Sequence, residues 1–479
     1  MKELLIYLLL LLFAGVSAFS QKIQYSRGTF QNIDPNNTQL VSNIDGHHHL
    51  LTFTLNKKPT IQVFNPQLQL LQKKQIGFSV TENVDIKAIT LENNYFLYTH
   101  GLQSPKHDIF KIDKEGNSVS LSKKFQKVID SVFGQYTATF QMIEREKRVC
   151  LLAHTYFDTI KSIMSTAVEL DDNLDVLSVR KVVHPFNRET DHLQQANIIG
   201  NELYVLRTSR SVETGNSLEI VKTDLNTGKS LANSFHSGWH VYLNPGFVFT
   251  GTDSTILLYA QLRNSSTGGP QQRTVFITKL HSDLREKVPV SLLKSQFGQN
   301  ISASFLFLEG QQPLWLNLYS GMRIQRALTH NYWLDTLGAL NIRRPSTGYL
   351  DRTAYSQYTG IRFTLLDEAL RYRRDSVIKN DRNLAEVRPY PFAQLRVNDN
   401  GALVLIRNYS VRRKGLIIMC PEGQEHFSYT NVPVYDRYDY LLSQLQQVND
   451  YFIVPYMAKN EMGLLKVTMN DQYNNTSKR

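Results

Sequence analysis

The chain has 479 residues, 42% hydrophobic, 20% charged and 11% aromatic, and its 53 Lys and Arg outweigh 42 Asp and Glu by +11. That balance excludes a disordered, collagen-like or disulfide-scaffold protein. Only one long apolar run exists, at the N-terminus, which excludes a bundle of membrane-spanning helices.

Residues 1–18, MKELLIYLLLLLFAGVSA, read as a signal peptide: Lys2 is the basic head, Leu4 to Val16 the apolar core, and Val16-Ser17-Ala18 the small-residue cleavage site. The expectation is export to the periplasm or outside the cell, with no transmembrane segment in the mature chain. The rest divides into one domain over 19–470 and a polar tail over 471–479.

From there the chain reads as short runs of Val, Ile, Leu, Tyr, Phe and Thr broken by Asn, Asp, Gly and Lys. Eight segments share a shape, an apolar strand ending on a polar residue. They are HLLTFT (to Thr54), YFLYTH (His100), VCLLAH (His154), LYVLRT (Thr208), ILLYAQ (Gln261), LWLNLY (Tyr319), LVLIRN (Asn408) and YFIVPY (Tyr456). Their ends lie 46 to 58 residues apart, except for 89 between Tyr319 and Asn408. A second strand and a polar turn follow several of them, as in DIFKIDKEGN (108–117) and LEIVKTDLNTGK (218–229). A period of about fifty residues suits a four-stranded antiparallel blade with its loops.

This repeat resembles the β-propeller superfamily over residues 22–470, at the level of the fold alone; no WD, kelch or Asp-box signature names a family. The resemblance implies an all-β protein of eight four-stranded blades, with seven or nine as alternatives. KIQYSRGTF (22–30) has no partner of its own, so it is expected to pair with the last blade and close the ring. The 89-residue interval predicts a basic, loop-rich insertion over 341–390, in which TLLDEALRYRRDS is a short helix or a hairpin, or else a degenerate ninth blade.

Between Leu340 and Gly415 there are 15 Lys or Arg and 7 Asp or Glu, so +8 of the net +11 sits in about one-sixth of the chain. Arg371, Arg373, Arg374, Arg412 and Arg413 are the candidates for binding an anionic partner, an acidic glycan or envelope protein, because guanidinium pairs bidentately with carboxylate, sulfate or phosphate. A solvated, self-paired surface is the competing reading. Nucleic acid is not expected as a partner of an exported chain.

In a propeller the polar ends of the repeated strands fall near one face. His100, His154, Thr208, Gln261, Tyr319, Asn408 and Tyr456 are therefore the ligand-face candidates, suited to sugars or peptides; alternatively each marks only where an apolar strand meets water. Other constellations are weak. His47-His48-His49 reads as a solvated turn, and HSGWH (236–240) as surface. Asp171-Asp172-Asn173-Leu174-Asp175 starts like a calcium loop but lacks the Gly and Glu that would complete it, so it reads as a β-turn. Cys150 and Cys420 read as buried and unpaired, although a bridge stays open. No catalytic residues, metal or cofactor are assigned. The expected function is a non-enzymatic binding or scaffold propeller recognising a glycan, peptide or envelope protein. Alternatives are a propeller-type polysaccharide hydrolase or lyase and a structural subunit of an envelope complex.

Overall fold

The computed structural model describes residues 22–30, 38–53, 57–78, 84–101, 107–134, 140–145, 148–211, 215–250, 255–264, 274–294, 301–309, 312–327, 350–379, 392–397, 400–410, 413–422, 426–435, 438–458 and 461–468. Within them the chain is all-β apart from one α-helix and short single turns. The strands form seven four-stranded antiparallel meanders: 38–75, 84–120, 140–185, 191–238, 240–294, 301–379 and 392–432. An eighth sheet, 439–468, is completed by Lys22–Tyr25 and Thr29–Phe30. This succession of four-stranded meanders has the architecture of a β-propeller.

The repeated segments of the sequence are the second strands of these sheets, from His47–Thr52 to Tyr451–Ala458. The N-terminal segment pairs with the last sheet as expected, with Lys22 opposite Thr468 and Tyr25 opposite Leu465. The segment 341–390, expected as a loop-rich insertion, differs. Leu350–Leu366 and Tyr372–Lys379 are the third and fourth strands of the sixth sheet, and TLLDEALRYRRDS is their hairpin. An outer strand is solvated on its edge, so its charged side chains imitate the composition of a loop.

Among the described residues, core clusters lie between neighbouring sheets. Val41, Leu51 and Ile61 of the first sheet meet Leu97 and Phe110 of the second. Further clusters join second to third, third to fourth, fourth to fifth and fifth to sixth. Leu416 and Ile418 of the seventh pack with Phe452 and Leu465 of the eighth. Leu40, Leu50 and Phe64 of the first pack with Ile453 and Leu464 of the eighth. Burial between neighbouring sheets removes apolar surface from water at about 25 cal/mol per Å².

Two small devices recur at these junctions. The turn between third and fourth strands spans five residues, its fourth residue left-handed: Leu68 (φ 57°), Gly116 (74°), Leu174 (62°), Leu284 (65°) and Leu370 (60°). The four leucines are buried, each in the cluster shared with the preceding sheet. Their burial offsets a backbone conformation that costs an L-residue about 1–2 kcal/mol. Gly116 takes this place where a Cβ would come within 2.9 Å of Val63 on the preceding sheet. The second device is a third-strand lysine that reaches forward to the second residue of the next sheet's turn. Lys111 Nζ meets the Asp172 carboxylate at 2.6 Å. Lys222, Lys279 and Lys466 donate to the carbonyls of Ser282, Glu368 and Pro66 at 2.9, 2.8 and 3.0 Å.

The α-helix α1, Ser122–Phe133, follows the second sheet and buries Phe125, Val128, Ile129 and Phe133 against the second and third sheets. The spacing of those four residues is helical.

Candidate functional site

In each meander the links between second and third strands and the links to the next sheet lie at one end, here the loop end. The turns between first and second and between third and fourth strands lie at the other, the turn end. At the turn end polar groups are drawn inward. Asp171 Oδ1 accepts the N–H groups of Asn173 and Asp175, both at 2.8 Å, which makes the apparent calcium loop a hairpin turn.

The loop end presents side chains outward. In the third sheet, Asp158–Ile160 forms a single turn beyond the second strand, and Phe186 N–H donates to Lys161 O at 2.8 Å to fasten it. Ile160 is 70% exposed at its tip. The Tyr156 ring lies between Phe186 (5.3 Å) and the Arg188 guanidinium (5.1 Å). Between the fourth and fifth sheets the link is Trp239 alone, 64% exposed. Ser237 Oγ donates to His240 O at 2.6 Å across it, so this tryptophan stands on a short, hydrogen-bonded bend. In the link before the eighth sheet, Tyr435 is 60% exposed and packs on Tyr25 (4.7 Å) and Tyr438 (5.3 Å).

Beneath the third and fourth sheets' loop end lies an ionic cluster. Arg207 donates through Nε to Glu219 and through Nη1 to Pro185 O, with Asp191 at 3.6 Å. Asp191 also accepts from Asn187 N–H, Thr190 Oγ and Ser209 Oγ, and Glu219 from Ser234 Oγ. Each carboxylate is thus held by several donors, an arrangement that pins two sheets together. His154 Nδ1 lies 2.9 Å from Ser165 Oγ. Burial first, then the adjacent His184, lower the His154 pKa to about 4. Burial, then the Arg207 charge, lower His184 as well. Both imidazoles are neutral at pH 7.

The ligand-face candidates occupy matching second strands, and their side chains divide. His100 is half-buried and stacks on His107 at 4.7 Å; Tyr98 OH bonds the His107 Nδ1 at 2.7 Å. Thr208 Oγ accepts from Gln194 Nε2 at 2.9 Å. His154, part-buried, and Gln261, buried, turn into the sheet packing, and Tyr456, also buried, donates to Ser26 O at 2.9 Å. Tyr319 is inside a longer strand, Gln312–Ala327, and Asn408 pairs with Lys414; their side chains lie outside the described residues. The arginine candidates fall on two sheets. Arg371 is exposed in the turn of the sixth sheet, at the turn end, with Arg373 and Arg374 following in the outer strand. Arg413 begins a third strand and so sits at the loop end of the seventh sheet. Arg412 lies outside the described residues.

The histidine triplet is no solvated turn. His48 and His49 are fully buried in the second strand of the first sheet. His49 engages both ring nitrogens, with Tyr95 OH at 3.1 Å and Lys114 O at 3.0 Å, because the packing of the second sheet covers it. Among the described residues no three His, Cys, Asp or Glu are grouped to hold a metal ion, and no helix is long and apolar enough to cross a membrane. Cys150 is buried. The Cys420 side chain and the segment 1–18 lie outside the described residues.

No family model and no curated protein matches the chain. Among solved structures it is similar to an apocarotenoid oxygenase of Synechocystis, at 9% identity and TM-score 0.37, covering 86% of this chain and 96% of that one. It is also similar to the α-L-arabinofuranosidase Arb93A of Fusarium graminearum, at 10% identity and TM-score 0.31, covering 69% and 92%. Alignments this loose carry no information about chemistry.

Proposed function

We propose that the chain is an exported binding protein: a closed wheel of eight blades whose loop end grips an extended glycan. Three kinds of contact support the wheel, because the last sheet meets the first as interior neighbours meet. The Lys466-to-Pro66 contact repeats Lys222-to-Ser282. Gln446 bonds the Leu40 O and Ser42 N–H of the next innermost strand, as Gln195 bonds both groups of Phe247. Leu68 enters the eighth sheet's core as Leu174 enters the second's. The apolar leader over 1–18 motivates export.

The observation that carries the binding reading is Trp239, a rigidly mounted and largely exposed tryptophan at the loop end. Tyrosine and tryptophan faces match the C–H faces of sugar rings, and exposed aromatics on a stiff scaffold are typical anchors. The test is a titration with neutral and uronic-acid oligosaccharides, followed by intrinsic fluorescence and calorimetry, on the native chain and on Trp239→Ala. A loss of affinity of tenfold or more in the variant is expected. Equal affinity of both proteins for every saccharide would remove the reading, and release of reducing ends during the titration would replace binding with cleavage.

A further inference from the structure

The eighth sheet differs from the others in one respect: its outer strand is not continuous with its third. That place is filled from the other end of the chain, by Lys22–Tyr25 and Thr29–Phe30 against Glu461–Thr468. The fit is side-chain specific. Tyr25 enters a pocket made by four tyrosines, with ring centroids of Tyr435, Tyr456 and Tyr438 at 4.7, 5.4 and 5.7 Å. Its hydroxyl meets Tyr440 OH at 3.0 Å and accepts Tyr435 N–H at 2.9 Å. Ser26 exchanges bonds with Leu464: its N–H donates to Leu464 O at 2.9 Å, and its Oγ accepts Leu464 N–H at 2.7 Å. Gly463 makes room, since a Cβ there would lie 2.7 Å from Ser26 Oγ and from the Tyr456 ring. Ile23 packs on the core shared with the seventh sheet.

This is strand addition into a groove with a dedicated pocket, the mode by which extended peptides bind sheet edges. Every contact is noncovalent; those with the eighth sheet are made with residues about four hundred positions away in sequence, and Gln24 also donates to Gln67 O on the first sheet. Nothing in the groove distinguishes the segment of its own chain from the same segment of another. We propose that the open edge Glu461–Thr468, with its tyrosine pocket, is a strand-acceptor site that a second copy of this chain fills with its own residues 22–30, giving a reciprocal, two-fold exchanged dimer. Exchange of an identical element reuses contacts already optimised and needs no new interface. The tether to the first sheet sets an effective local concentration of the order of 1 mM, so the intramolecular pairing prevails in dilute solution. Exchange requires refolding at high protein concentration.

The test uses the mature chain with Cys150→Ala and Cys420→Ala, carrying Lys22→Cys and Thr468→Cys at an observed cross-strand pair. It is refolded from urea at two concentrations about a hundredfold apart, oxidised, and run on non-reducing gels. A cross-link within one chain is expected from dilute refolding and a cross-link between two chains from concentrated refolding. Tyr25→Ala in the same background should lower the yield of both cross-links at least tenfold, because the same pocket receives the segment in either arrangement. An intrachain cross-link at both concentrations, or a dimer whose cross-links stay intrachain, overturns the proposal. Unmodified chain provides an independent reading by light scattering after concentrated refolding. A peptide of residues 22–30 in excess should suppress its dimer. A dimer indifferent to the peptide, or no dimer at all, overturns the proposal in the same way.

Discussion

Replacing Leu174 by alanine and by glycine separates the two opposed roles of the turn leucines. The side chain is fully buried in the core between the second and third sheets, while its backbone sits at φ 62°. Truncating a buried leucine to alanine costs about 3 kcal/mol, within a range of roughly 2–5. Alanine keeps the left-handed penalty, about 1–2 kcal/mol, which glycine does not have. Glycine in turn costs about 0.5–1 kcal/mol in unfolded-chain entropy. The difference leaves Leu174→Gly equal to or up to about 1.5 kcal/mol more stable than Leu174→Ala, the reverse of their order at ordinary helix or strand positions. Urea midpoints at constant slope measure it. If Leu174→Gly proves less stable than Leu174→Ala by about 1 kcal/mol, the turn geometry is not what the left-handed angle implies and the argument fails.

Three further outcomes follow from the same contacts. His154 has a depressed folded-state pKa of about 4, so the unfolded chain binds its proton first as pH falls below about 6.5. Its contribution is intact at pH 7 and declines toward pH 4, with a loss of about 2 kcal/mol by pH 5 that His154→Gln should abolish in urea titrations at the two pH values. Arg207→Met leaves Asp191 and Glu219 without their shared cation in a mostly buried setting, and denaturation should register a loss of about 3 kcal/mol; a change under 0.5 would show the cluster to be solvated. Trp239→Ala, by contrast, removes an exposed side chain, and its unfolding midpoint should stay within about 0.5 kcal/mol of the parent while saccharide affinity falls.

Much of the strand framework was legible because one strand of each sheet carries a nearly uninterrupted apolar run, as a strand buried on both faces does in the first, third and eighth sheets. The N-terminal strand was legible as a segment without a partner. Outer strands were harder. Tyr372–Lys379 carries Arg373, Arg374 and Asp375, and nothing in that composition separates a solvated edge from a loop. Helix α1 carries a readable signal in Phe125, Val128, Ile129 and Phe133, but Lys123, Lys124 and Lys127 between them resemble the neighbouring turns. The site was least legible. Whether a polar residue ending a strand faces water or is engaged depends on its neighbour within the sheet: Ser165 for His154, Ser26 for Tyr456. HSGWH (236–240) reads as surface in the sequence, but a single-residue link between sheets leaves no local pattern that singles out Trp239; its exposure is a property of the arrangement.

The pairing of residues 22–25 with the last strand also orders events in time. The segment synthesised first is needed last, so it waits unpaired while some four hundred residues emerge and fold beside it. A nascent or truncated product therefore displays a bare sheet edge and an empty aromatic pocket, both attractive to proteases and to other chains. Completion of the final strand becomes the molecule's own checkpoint, and a product cut short before Glu461 would be recognisable as unfinished by that exposed rim.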